Sequence, residues 1–314
     1  MYFFRKKNNE LSLQTLLSAP DDRVDQSCLV DNLSYNGGTA DIPYENIIDG
    51  NYGTAKRQIV EMLYDACHND DIEYKSEYNL FQFAKYDKDY TAQNIKNSIV
   101  IANPPKSFND PLDPIIVPWL KIYRQQIKGK SVHTFVGNVQ KAIDHFRIRC
   151  FAYDNGLKEK DNHILLPINQ KIENINPLLW GHYADGHRGI CFKCKIKMED
   201  LKRQYNTENS YIQLRPIKYV KKLDIHQSIT LSNALITKGK YWDYENEIRL
   251  IYYSTNQQQE HFPIKVEISD VYLGVLCKDS VRQEIQEAIK GTKIQLHKMV
   301  LDPNDVTKLM VKHI

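Results

Sequence analysis

Two glutamates separated by one residue, Glu245 and Glu247, stand in the segment 241–251, YWDYENEIRLI. Residues two apart in a β-strand share a face, and 247–253 has the apolar and aromatic content of a strand. On that pattern Glu245, Glu247 and Arg249 line one face, and Ile248, Leu250 and Tyr252 line the other. Two carboxylates held close cannot both ionise easily, so one pKa rises. One could then hold a substrate hydroxyl while the other activates a nucleophile, with Arg249 moderating their repulsion. The ordinary alternative is a half-exposed strand face with charges paired across strands, each pair contributing about 0.2–1 kcal/mol.

The stretch 180–189, WGHYADGHRG, concentrates Trp180, His182, Tyr183 and His187 between glycines that permit tight turns. It reads either as a binding loop or as a helix-to-strand connection. His182, His187, Cys191 and Cys194 have the donor types of a zinc site. However, Cys191 and Cys194 fall in a predicted strand, where an odd separation sends them to opposite faces, so no metal site is expected. In 108–113, FNDPLD, the Asn109-Asp110-Pro111 run is a turn signal, and Asn109 or Asp110 could face the same cleft as the glutamates. Lys and Arg outnumber Asp and Glu over 197–240, which suits a solvated face or a phosphate-bearing partner. There is no Walker loop and no GxGxxG.

The elements that must position these residues are mixed in order. Strands are predicted at 78–83, 98–102, 146–153, 189–196, 214–220, 247–253, 264–268, 271–275 and 294–299. Helices are predicted at 54–68, 91–97 with Thr91 as cap, 114–145 in two pieces, 177–184, 225–238 and 280–290, the last with a Ser280–Gln283 capping box. That order fits an α+β fold better than a doubly wound sheet. Residues 1–77 read as an N-terminal appendage and helix, with 1–53 either packing on the body or meeting a regulatory partner, and 78–314 as one α+β catalytic-like domain.

Composition sets outer bounds. A net charge of +3 is too small to argue for nucleic acid by itself. No apolar run reaches the roughly 20 residues of a membrane span, and six scattered cysteines suit reduced thiols in a cytoplasm.

The order FNDPLD, FRIRCFAY (146–153), LLWGHYADGHRGICFKC (178–194), IKYV (217–220) and KGKYWDYENEIRLIYY (238–253) resembles a bacterial family of unknown function. Its members carry FNDPFD, W-x-HYA-x-x-H-x-G and K-x-x-x-W-x-YExEWR. The resemblance spans roughly 78–313, and Ile248 stands where the family often has tryptophan. A weaker resemblance, Glu-x-Glu leading into an apolar strand, links the segment to ADP-ribosyltransferases. It implies mixed, strongly curved sheets with flanking helices around an ADP-ribosyltransferase-like core, and NAD as substrate. Glu247 would hold the nicotinamide ribose hydroxyl and Glu245 would assist. The superfamily's first-strand Arg or His has no clear match; Lys85 or Tyr86 stand near the expected place. Tyr183 or Trp242 would stack on nicotinamide, and His182 or Lys85 would meet the ribose or pyrophosphate. The resemblance thus implies a toxin or antiviral defence effector that modifies nucleic acid or protein. Two rivals remain: a metal-dependent nuclease or hydrolase, and a non-catalytic partner-binding module.

Overall fold

The computed structural model describes residues 77–115, 117–118, 121–122, 143–154, 158–160, 163–165, 170–207, 209–222, 231–256 and 259–314. The predicted appendage 1–53, the helix 54–68 and most of the two-piece helix 114–145 lie outside them.

Fourteen strands are described: β1 (Tyr78–Ala84), β2 (Ile99–Ala102), β3 (Phe146–Ala152), β4 (Lys158–Lys160), β5 (His163–Leu165), β6 (Ile190–Ile196), β7 (Ser210–Pro216), β8 (Lys218–Val220), β9 (Thr237–Gly239), β10 (Glu247–Ser254), β11 (Phe262–Lys265), β12 (Glu267–Leu273), β13 (Gln295–Asp302) and β14 (Asp305–His313). The described helices are short: α1 (Thr91–Lys96), α2 (Leu178–Tyr183), α3 (Met198–Tyr205), α4 (Leu231–Ile236) and α5 (Asp279–Ile289). None is long and apolar enough to cross a membrane.

Eight strands form one mixed sheet in the order β14-β13-β12-β6-β1-β3-β10-β7. β12 and β13 run parallel and the other neighbours antiparallel. The class is therefore α+β, as expected, but the sheet is open and not strongly curled. Strong curvature is built from repeated bulges, and the described ladders of this sheet shift register only at Ile268/Asp270 and Leu301/Asp302.

Both faces of the sheet are covered. Ile190, Phe192, Cys194 and Ile196 of β6 pack into one core with Ile95 of α1, Leu201 of α3 and Ile285 of α5. Cys191 faces the other core with Phe81, Phe83, Trp180, Tyr272 and Met299. The period-2 pattern thus sends the two cysteines to opposite faces, as their spacing predicted.

Several expectations need correction. Thr91 opens α1 without capping it; its hydroxyl accepts a bond from the Asp87 N–H, and Tyr90 holds the cap position. No side chain caps α5, which starts at Asp279 after Lys278. The strand predicted at 214–220 is two strands, β7 and β8, with Ile217 between them donating to the Glu247 carbonyl. The strand predicted at 264–268 straddles the end of β11 and the start of β12, and within 225–238 the described helix covers only 231–236. β14 was not foreseen. Its sequence DVTKLMVKH is largely exposed, so no one-sided apolar alternation marks it.

Candidate functional site

The glutamates do not share a strand. Glu245 ends a 3-10 turn over Lys240–Glu245, Asn246 takes a left-handed conformation (φ +45°), and Glu247 opens β10. Asparagine tolerates that conformation better than most residues. The turn returns Glu245 to the side of Glu247, and both meet one ammonium. Lys238 Nζ lies 2.5 Å from Glu245 Oε2 and 3.1 Å from Glu247 Oε2. Lys238 comes from β9, which pairs in parallel with β8.

Arg249 completes the group. Its Nε donates to Glu247 Oε1 at 2.7 Å, its Nη1 to the Leu235 carbonyl at 2.6 Å, and its Nη2 to both oxygens of Asp113 at 2.6 Å. Phe108 lies under the guanidinium at 5.3 Å, and Trp242 lies under Lys238 Nζ at 5.0 Å. Tyr183, brought in by α2, donates to Glu245 Oε1 at 2.6 Å, and the Glu247 N–H donates to Tyr219 Oη at 2.9 Å. Asp113, Lys238, Glu245, Glu247 and Arg249 are all buried. A half-exposed strand face is thereby excluded.

Burial raises the proton affinity of Glu245, and the neighbouring Glu247 adds to it against the pull of Lys238. Burial works the same way on Glu247, but Arg249 and Lys238 outweigh it and hold the carboxyl at about 2. The pair is therefore split, Glu247 firmly ionised and Glu245 the better proton acceptor. Burial opposes the Lys238 charge, yet Glu247, Asp113 and Glu245 together raise its pKa.

Asp113, Tyr183, Lys238, Glu245 and Glu247 form one wall of a cleft of about 290 Å³ lined also by Phe81 and Phe83 of β1, by Phe108, Asn109 and Leu179, and by residues 148–152 of β3. The cleft sits where the sheet parts. β1 meets β3 at one residue pair, Phe81 with Ala152. Four residues back, Asn103 takes the same edge, exchanging bonds of 3.0 and 2.8 Å with Ile148. Between those points, no described strand covers that edge of β3. Backbone pairing alternates along a strand, so Cys150, two residues beyond Ile148, directs its N–H and C=O into the gap. The Cys150 thiol pKa is pushed well up by burial, then by Glu247.

Of the predicted site residues, the structure brings together Glu245, Glu247, Tyr183, Arg249, Asn109 and Trp242. His182 is exposed and stands beside the rings of Tyr183, Trp242 and Tyr244 at the rim. Lys85 is exposed, and Tyr86 bonds Glu284 of α5 instead of the cleft. Asp110 accepts from the Leu112 N–H, so it serves the turn. Trp180 is buried against Phe83 and His187. His187 is part of a docked turn: its carbonyl accepts from Leu276 N–H, and the Gly189 carbonyl accepts from Gly274 N–H, both at 2.9 Å. Tyr86, Trp180 and His187 leave the site because Glu284, Phe83 and the Trp180–His187 stack engage their side chains, Asp110 because it serves its own turn, and Lys85 is exposed and does not line the cleft.

Sequence reasoning missed Asp113, Lys238, Tyr219, Phe108 and Cys150. Asp113 closes the FNDPLD string and Lys238 opens KGKYWDYENEIRLIYY, so both lay inside strings already singled out. A lysine and an aspartate next to apolar runs were the available signal, since buried charges need partners. Comparison with family models, curated proteins and solved structures gave no match.

Proposed function

We propose that the protein cleaves NAD at the nicotinamide–ribose bond and transfers or releases ADP-ribose, as an effector acting on nucleic acid or protein. The observation that carries this reading is Glu247, a buried carboxylate held ionised by Arg249 and Lys238 beside an aromatic-walled cleft. When the C1′–N1 bond breaks, its electron pair leaves with neutral nicotinamide and positive charge develops on the ribose, as in glycoside cleavage. A fixed carboxylate stabilises that charge more than it stabilises the ground state. Water or an acceptor oxygen then bonds to C1′ and gives up its proton, for which Glu245 is the better-placed base.

The cleft supports the fit. Its volume is near the lower end of the roughly 300–1,000 Å³ of ligand pockets, enough for the nicotinamide riboside half. The N–H and C=O of Cys150 offer a donor and an acceptor to a planar carboxamide. The rival metal-dependent reading has less support, because Lys238 Nζ already occupies the point between the two carboxylates.

Incubating the purified chain with NAD and measuring nicotinamide release tests the proposal. Release by the wild type, reduced about 100-fold or more in Glu247→Gln, is the expected result. No release in the presence of both nucleic acid and protein acceptors would overturn it.

A further inference from the structure

Away from the cleft, β12, β13 and β14 bring two histidines and an aspartate together. His297 and His313 are directly opposed in the antiparallel ladder of β13 and β14, and their Nδ1 atoms are 3.0 Å apart. His297 Nε2 lies 2.8 Å from Asp270 Oδ1. Asp270 follows the register shift in β12, and its second oxygen accepts a 2.6 Å bond from Ser269 Oγ. Tyr272 stacks on the His297 ring at 4.8 Å. His297 is buried and His313 is exposed, so the pair opens to solvent on one side.

We propose that His297 and His313 are the protein ligands of an open divalent transition-metal site, with Asp270 orienting His297. Three observations support it. Two imidazole nitrogens on one ion, each at about 2.0–2.1 Å, are separated by about 2.9–3.4 Å in tetrahedral or square geometry, and the observed 3.0 Å falls in that interval. The carboxylate on Nε2 fixes the tautomer in which Nε2 carries the proton and Nδ1 presents its lone pair, the arrangement that ligating histidines recurrently show. The Tyr272 ring and the Ser269–Asp270 bond hold the imidazole and its carboxylate in place before any ion arrives.

Two nitrogens are fewer than a closed site supplies, and among the described residues no group of three or more His, Cys, Asp or Glu is arranged around a common point. The remaining positions therefore belong to water or to a ligand from solution. Imidazole donors favour copper, nickel and zinc over magnesium or calcium.

The experiment uses the full chain, stripped with chelator and dialysed, and titrated calorimetrically with Zn²⁺, Ni²⁺ and Cu²⁺ in turn. The expected result is one site of micromolar affinity for at least one of these ions. His313→Ala, an exposed position that leaves the core intact, should weaken it at least tenfold, and Asp270→Asn should weaken it about tenfold. The ion should also raise the melting temperature of the wild type but not of His313→Ala. Equal binding by wild type and His313→Ala, or no binding by wild type at 100-fold excess of each ion over chain (~1 mM), would overturn the proposal and leave a hydrogen-bonded pair in which His313 Nδ1–H donates to His297.

Discussion

Asp113 and Arg249 are 136 residues apart in the chain, yet one guanidinium nitrogen of Arg249 lies 2.6 Å from both oxygens of Asp113. Both side chains are buried, with Arg249 at 0% exposure. The pair fastens the FNDPLD turn to β10, and Asp113 lines the cleft. Removing the Asp113 charge leaves the buried Arg249 with Glu247 as its remaining carboxylate partner, so the cost is that of a charged hydrogen bond, about 1.5–3 kcal/mol, below that of a wholly uncompensated charge. Asp113→Asn should therefore lose about that much stability in urea unfolding followed by circular dichroism. A loss below about 1 kcal/mol would show that Arg249 does not depend on Asp113.

The glutamates predict a specific response of stability to acid. Glu247 has a folded-state pKa of about 2 against an ordinary 4.5. A depressed carboxyl contributes stability that is fully present above the unfolded value and is lost as pH falls through the folded one. Its contribution should therefore hold above about pH 5 and fade toward pH 2. Glu245 has the opposite sign. Its raised folded pKa favours the folded state below the ordinary value, and that advantage is lost as pH rises through the folded pKa. Denaturant unfolding of wild type and Glu247→Gln between pH 3 and 7 checks this: the stability gap should be constant near neutrality and shrink in acid. A gap unchanged down to pH 3 would sink the assignment.

The strands flanking the cleft were legible because their patterning is strong. β1, β3, β6 and β10 are dense in apolar, β-branched and aromatic residues, and each was placed to within a residue or so. The site was half legible. Glu247 stood out by type and spacing, but the turn that returns Glu245 to it depends on the left-handed Asn246, and a strand pattern through 245–249 hides that turn. Lys238 was invisible as a partner because it reaches the glutamates from β9, whose place is set by pairing with β8. Asp113 carried a signal by type, but its pairing with Arg249 was invisible because the two are 136 residues apart. Trp180, His187 and Tyr86 misled for the converse reason: their types suit a site, but Phe83 claims Trp180, the Trp180 ring and the Leu276 N–H claim His187, and Glu284 claims Tyr86.

Tyr183 offers a test of Glu245 separate from Glu247. Its hydroxyl donates to Glu245 and thereby lowers the proton affinity of that carboxyl. Tyr183→Phe removes the bond, so the Glu245 pKa should rise further. If Glu245 takes the proton in the proposed reaction, it must be unprotonated to act, and the acid limb of the rate profile should move to higher pH. Stability should fall by only about 1 kcal/mol, the usual net value of one hydrogen bond, since Lys238 still satisfies the carboxylate. A pH–rate profile superimposable on the wild type's would remove Glu245 from the proton transfer.

Gly181, Gly189 and Gly274 separate close packing from mere presence. A Cβ at Gly189 would stand 2.3 Å from the Ala84 carbonyl and 2.9 Å from the Ala184 backbone, and one at Gly274 would stand 2.3 Å from the His187 carbonyl. All of these neighbours are backbone, which cannot swing aside as a side chain can. The same residues carry the bonds that dock the turn on the end of β12. Gly189→Ala and Gly274→Ala should each cost on the order of 1–3 kcal/mol or more, as overpacking does. Gly181 supplies the control. It lies in α2 with nothing within 4 Å of its Cβ position, so Gly181→Ala should gain up to about 1 kcal/mol from helix propensity. Melting temperatures of the three variants, measured side by side, should move down, down and up. A fall for Gly181→Ala equal to the other two would mean that the whole segment resists substitution for a reason other than backbone approach.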